Sequence, residues 1–350
     1  MKQIARVSLT LLAISCSAHA RDLTHVGLLV AKPGAAVSGY LDVPAADDSG
    51  ARIPVSLVRG ASEGPVLALV AGVHGYEYPG ISALQRLRQS IDPRDLHGTL
   101  ILVHIANPPS FYGRTIYSSP ADGKNLNRVF PGRPDGTLSE RIAYQITTQV
   151  IAKADFLVDL HAGDGNEALR PYVYMPVTGD ARLDAASRGM ALAFGLDHIV
   201  IDDAPIAARD STQFVDATAL AHGVPAITTE TGQLGQNDER SIALAEHGVR
   251  NLMRHLEMLE GAPEANTNIV WLKDYKVVSS PANGVFRANV RDGYAVAKDG
   301  LLGELFDAFG AKIADVRAPF AGIVNYVIGT PPAVEGQPLA MVSRIAAPPP

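Results

Sequence analysis

Two histidines and two glutamates stand at positions where acid, base and metal chemistry could meet. His74 and Glu77 lie three apart in Gly72-Val73-His74-Gly75-Tyr76-Glu77, His161 closes Asp159-Leu160-His161, and Glu230 opens Glu230-Thr231-Gly232. On a continuing strand His74 and Glu77 would face opposite ways, but a turn entering a helix lets them converge, and Gly75 eases such a turn. Asp159 and His161 share one face of a strand, so the carboxylate can fix the imidazole tautomer. Alone, a His-x-x-Glu pair or a strand-end histidine is more often an ordinary surface or core feature. Together, two imidazoles and one carboxylate leave an open zinc position for water, which is the pattern of a catalytic site. Zinc is the expected ion, one per chain, although related divalent ions suit similar donors.

Short apolar runs alternate with longer mixed segments from about residue 64, which predicts strands over 65–73, 99–106, 155–160, 198–201 and 224–229. Helices are expected between them over 79–89, 138–151, 181–194, 212–222 and 239–259, the second opening on a Thr137/Glu140 capping box and the third stopping at Gly195. This alternation implies an α/β fold with a mostly parallel or mixed sheet covered by helices on both faces. Three of the strands run into His74, His161 and Glu230, and ligands of open α/β sheets bind at the carboxyl ends of strands. That convergence is the strongest physical signal in the chain. After a Gly261-Ala262-Pro263 linker, short β-rich runs broken by Asp292-Gly293 and Asp299-Gly300 predict a small all-β module over 269–345, following an α/β domain over 21–260.

Gly72–Glu77, Asn125-Leu126-Asn127-Arg128-Val129-Phe130-Pro131-Gly132, Asp159-Leu160-His161 and Glu230-Thr231-Gly232, in this order and spacing, resemble the succinylglutamate desuccinylase/aspartoacylase family, within the wider zinc carboxypeptidase group. The resemblance covers roughly residues 60 to 340. It implies that His74, Glu77 and His161 ligate zinc and that Glu230 is the general base. It further implies that Asn127 and Arg128 bind a substrate carboxylate and that Arg114 steadies the oxyanion of the scissile carbonyl. A guanidinium fork matches a carboxylate in two parallel hydrogen bonds, and a second one can stabilise charge that develops in the transition state. Asp164, in the loop after His161, is either part of a solvated acidic loop or faces a cationic group on the substrate. The Gly163-x-Gly165-x-x-Ala168 spacing is not read as a dinucleotide site, since Asp164 and Glu167 would repel a pyrophosphate. The segment from Val316 to Val324 with Val334–Leu339 resembles a lipoyl or biotinyl fold whose turn lacks the lysine to be modified, so it is read as structural.

Residues 1–20 have a basic start, an apolar run and Ala18-His19-Ala20, the pattern of a secretory signal peptide. Cleavage there removes the single cysteine, Cys16, and takes the formal net charge from −6 to −8. An exported, periplasmic, thiol-free chain is expected. Its acidity argues against nucleic acid or anionic lipid as partner, and after cleavage no apolar run is long enough for a membrane. The expected partner is a small substrate bearing a carboxylate. The expected activity is zinc-dependent hydrolysis of the amide of an N-acylated amino acid or related compound, with Glu230 activating a zinc-bound water. The alternative is a metallocarboxypeptidase acting on small or cell-wall-derived peptides. A binding protein would have no need of Glu230 beside three ligands, and no Gly-x-Ser-x-Gly elbow suggests a serine hydrolase. Acyl group, amine and oligomeric state stay open.

Overall fold

The computed structural model describes residues 25–349, so the expected signal peptide lies outside the described residues. Among them a 13-stranded mixed sheet forms the spine. From one edge, its order runs Ala35–Val43, Ala51–Arg59, His97–Val103, Ser62–Ala71, Phe156–His161, Ala226–Glu230, Tyr172–Val177, His198–Asp203 and Val270–Ser279. Ser62–Ala71, His97–Val103, Phe156–His161 and Ala226–Glu230 are parallel neighbours, whereas Tyr172–Val177 runs antiparallel to Ala226–Glu230.

Both faces of the central strands are buried, which is why they read as apolar runs. Val66, Ala68 and Val70 enter one core cluster with residues of helices Leu138–Gln149 and Val215–Ala221. Leu67, Leu69 and Ala71 enter another, with residues of Tyr78–Ser90, Ala181–Phe194 and Glu239–His255. This is the period-2 alternation of a strand sandwiched between two helical layers. Each fully buried Val or Leu here is worth roughly 1.5–3 kcal/mol. The helix starts follow local chemistry: Thr137 N donates to Glu140 at 2.8 Å, and Asp180 accepts from the amides of Arg182 and Leu183. Gly195 takes the left-handed conformation that ends Ala181–Phe194.

Three features differ from expectation. An N-terminal hairpin, Ala35–Val43 and Ala51–Arg59, precedes the first expected strand and extends the sheet. The strand Tyr172–Val177 was unforeseen. The C-terminal β region shares the main sheet: Val270–Ser279 pairs parallel with His198–Asp203 and antiparallel with Pro338–Ile345. A separate four-stranded antiparallel sheet, Lys312–Arg317, Leu301–Phe306, Gly284–Ala288 and Pro332–Ala333, completes that region. Among the described residues no helix is long and apolar enough to cross a membrane.

Candidate metal centre and active site

The strand Ser62–Ala71 ends two residues before Val73, and the chain turns through Gly72 at φ 70° into His74. The left-handed backbone is therefore at Gly72. Gly75 is required for another reason: a Cβ there would lie 2.3 Å from the carbonyl oxygen of Ser110 and 2.5 Å from that of Thr115. Glu77 occupies the N-cap of Tyr78–Ser90 without capping it. Its carboxylate turns instead to the imidazoles, Oε1 at 2.7 Å from Nδ1 of His74 and Oε2 at 2.8 Å from Nδ1 of His161.

The far ring nitrogens fix the tautomers. Nε2 of His161 meets Asp159 at 2.9 Å, from the shared strand face anticipated above. Nε2 of His74 meets Oδ1 of Asn125 at 3.1 Å; because that oxygen also accepts from the Asn127 amide at 2.8 Å, it must be an acceptor, and His74 carries its proton on Nε2. Both Nδ1 lone pairs then face one carboxylate. Two lone pairs and an anion cannot share that space unless a proton or a metal cation lies between them. All three ligand atoms lie within 4.8 Å of one another, the residues are buried, and Oε2 of Glu77 has no hydrogen-bond donor. The donor set fits a divalent metal ion. The contact of Asn125 with His74 is one that sequence reasoning did not anticipate, although Asn125 stood in the quoted motif.

Glu230 is aligned with this centre by strand register, paired with His161 on one side and Tyr172 on the other. Its Oε2 is buried and unpartnered. Burial pushes its carboxyl well above the usual carboxylate range against the pull of His161, and Glu77, Glu167 and Asp159 add to the rise. A bound cation would reverse that local balance. Tyr172 and Tyr174, linked by a 3.1 Å hydrogen bond, form an aromatic wall beside Glu230, with Tyr275 ring-to-ring against Tyr174 at 5.7 Å.

The remaining anticipated residues divide. Arg128 sits with its guanidinium 4.7 Å over the Phe214 ring, Nη1 donating to the Asn127 carbonyl at 2.6 Å, and has no carboxylate partner among the described residues. Asn127 is buried, and its Oδ1 accepts from Val215 N at 3.0 Å. Its Nδ2 lies 3.4 Å from Nε2 of His161, a nitrogen that also meets Asp159. Arg114 ends the helix Pro108–Gly113 in a left-handed conformation and is exposed. The structure places it electrostatically near Tyr78 and gives its guanidinium no hydrogen bond among the described residues. Asp164 is fully buried and is not a solvated loop residue: its oxygens accept from Gly165 N at 2.6 Å and Tyr117 N at 3.0 Å. It braces the turn at Tyr117, whose ring stands edge-on to His74 at 6.0 Å and whose hydroxyl donates to Glu167 at 2.7 Å. Burial, with the charge of Glu77, raises Asp164 to about 6; burial likewise raises Glu167 to about 7 against its hydrogen bond from Tyr117. The strand Glu167–Leu169 is bound to Gly322–Ile328, so the C-terminal region seats this loop.

The fold is a helix-flanked mixed sheet that carries, at its strand ends, a His-Glu-His group able to hold a metal ion, and comparison with known proteins narrows the class. The model of the succinylglutamate desuccinylase/aspartoacylase catalytic domain matches residues 63–256, and the chain belongs to that family. It is 31% identical over 288 residues to an N-alpha-acetyl-L-2,4-diaminobutyric acid deacetylase of Halomonas elongata, covering 80% of this chain and 82% of that one. Among solved structures it is similar to the product-bound ectoine utilization protein EutE (DoeB) of Ruegeria pomeroyi, with 30% identity, TM-score 0.81, and 90% and 96% of the two chains covered. A succinylglutamate desuccinylase/aspartoacylase of Rhodobacter sphaeroides gives 25% identity and TM-score 0.80 over 90% and 97% of the chains.

Proposed function

We propose that this chain is a zinc-dependent deacylase that hydrolyses the amide of a small N-acylated amino acid, releasing a carboxylate and an amine. The observation that carries this reading is the convergence of two Nδ1 atoms on Glu77, with unpartnered Glu230 aligned beside His161. His74, Glu77 and His161 would hold zinc, which when bound supplies a Lewis acid that acidifies water and polarises the acyl carbonyl. Glu230 takes the proton of the attacking water and returns it to the leaving nitrogen. Arg128, with Nδ2 of Asn127 as a second donor, takes the substrate carboxylate. Arg114, from the loop packed against Gly75, would have to swing inward to steady the developing oxyanion. Asp164 acts through Tyr117, setting the ring that borders His74.

The Halomonas relative is named for an N-alpha-acetyl diamino acid, which makes N-alpha-acetyl-L-2,4-diaminobutyrate and simpler N-acetyl amino acids the first substrates to test. We further propose that residues 1–20 direct export to the periplasm. The test of the catalytic reading is amine release by zinc-loaded protein from a panel of N-acyl amino acids and short peptides. Turnover of the acyl amino acids with little peptide cleavage is expected. Faster cleavage of peptides would make it a carboxypeptidase, and turnover unaffected by chelation would remove the metal from the reaction.

A further inference from the structure

A cavity of about 440 Å³ shares no residue with the candidate metal centre. It lies between the N-terminal hairpin, the later turns of Tyr78–Ser90 and the helix Pro108–Gly113. Its volume is in the range of small-ligand sites, roughly 300–1,000 Å³. Its lining contains two guanidiniums, Arg52 and Arg88, and no carboxylate, in a chain whose net charge is −6.

The two arginines are not equivalent. Arg52 is neutralised by Asp42 at 3.2 Å and stacked on Tyr40. Arg88 has no carboxylate partner among the described residues; its Nε donates to Ser38 Oγ at 3.1 Å. From Ser38 a relay runs inward, to Ser56 Oγ at 2.8 Å and on to Nε2 of His104 at 2.8 Å. Each hydroxyl of this relay can donate or accept, so it ties Arg88 to His104 without deciding whether Nε2 or Nδ1 of the ring carries the proton. That Nδ1 is buried and without a partner. Burial and the charge of Arg88 hold the ring at about 4, hence neutral at physiological pH. The cavity thus offers one guanidinium without a carboxylate partner and an apolar wall from Ile105, Pro108 and the exposed ring of Tyr112.

We propose that this cavity binds a small aromatic carboxylate, its anionic end on Arg88 and its ring against Tyr112 and Ile105. A monoanion matches the single free guanidinium, whereas a phosphate dianion would remain half neutralised. The apolar wall calls for a body that a bare anion lacks.

Benzoate is the probe, titrated calorimetrically into zinc-loaded protein, with benzamide, acetate and phenyl phosphate as comparisons. Benzoate should bind one site per chain, at least about tenfold more tightly than the other three, since each lacks the charge, the ring or the charge match. Arg88→Gln and Tyr112→Ala should each weaken benzoate by about tenfold or more, while Arg128→Ala leaves it unchanged. Tyr112 is exposed, so its variant keeps the test valid should Arg88→Gln fail to fold. Loss of binding in Arg128→Ala with retention in Arg88→Gln would assign the benzoate to the catalytic pocket and overturn the proposal. Benzamide binding equal to benzoate, or no benzoate binding, would overturn it as well.

Discussion

Replacing Asp159 with asparagine tests whether the metal centre is built from outside its ligands. Asp159 is fully buried, with Oδ2 at 2.9 Å from Nε2 of His161 and Oδ1 without a partner. Asparagine can still accept the Nε2 proton through its amide oxygen, so the ring keeps its orientation. It loses the charge that makes His161 a stronger donor to a cation, and its NH2 enters the space where Oδ1 already lacked a partner. Loss of such an outer carboxylate typically weakens metal binding by about 10–100-fold, or about 1.4–2.7 kcal/mol. The new unpaired amide would cost roughly 1–3 kcal/mol of stability, offset in part by removing a buried charge close to Asp216. Zinc affinity should be measured by competition with a chromogenic chelator, alongside thermal unfolding of the metal-free protein. Wild-type zinc affinity in a folded Asp159→Asn protein would refute the claim that this carboxylate tunes His161.

Glu230→Gln should retain zinc and lose about 10²–10⁴-fold in kcat, because the amide cannot accept a proton; loss of zinc from the same preparation would make Glu230 a ligand. Arg128→Ala should raise KM for substrates with a free carboxylate and leave their amides unaffected, and equal turnover of acid and amide by the wild type would remove the clamp. Burial alone would raise Glu140, but the Thr137 amide and Lys124 outweigh it and hold it at about 2, below the unfolded value of about 4.3. Its stabilisation is therefore complete above pH ~4.3 and lost as pH falls toward about 2, so Glu140→Ala should cost about 1–2 kcal/mol in denaturant titrations at neutral pH and little near pH 2. A difference independent of pH would refute it. Mass spectrometry of protein from its native host should find Arg21 first, and an intact Met1 or a lipid on Cys16 would exclude the expected processing.

The candidate metal-binding residues were legible because His74 and His161 close apolar strand runs and Glu77 follows His74 across a Gly-containing turn. What held them was less visible. Asn125 reaches His74 across 51 positions, and nothing local distinguishes an amide that orients a ring from one that shapes a turn. Tyr117 and Glu167 meet only after folding, 50 positions apart. Asp164 reads as a surface acid because aspartates between glycines generally are; its burial comes from Tyr117 N, supplied by a distant loop. Among the strands, Ala51–Arg59 contains Pro54, which argues against a paired strand, yet Pro54 falls outside the ladder with His97–Val103 that starts at Val55. Tyr172–Val177 reads poorly because Pro176 interrupts it near its end.

The family match stops at residue 256, but the hydrogen-bonded sheet continues through Val270–Ser279 and Pro338–Ile345. The segment matched by the catalytic-domain model is thus shorter than the segment that the sheet ties together. A chain cut after residue 256 would leave His198–Asp203 as a bare sheet edge, open to pairing with any neighbouring strand in a crowded solution. It would also unseat Glu167–Leu169 from Gly322–Ile328 and remove Tyr275 from beside Tyr174. Attempts to transplant the catalytic half onto another partner domain must therefore carry this edge with it, or furnish a substitute strand of the same register.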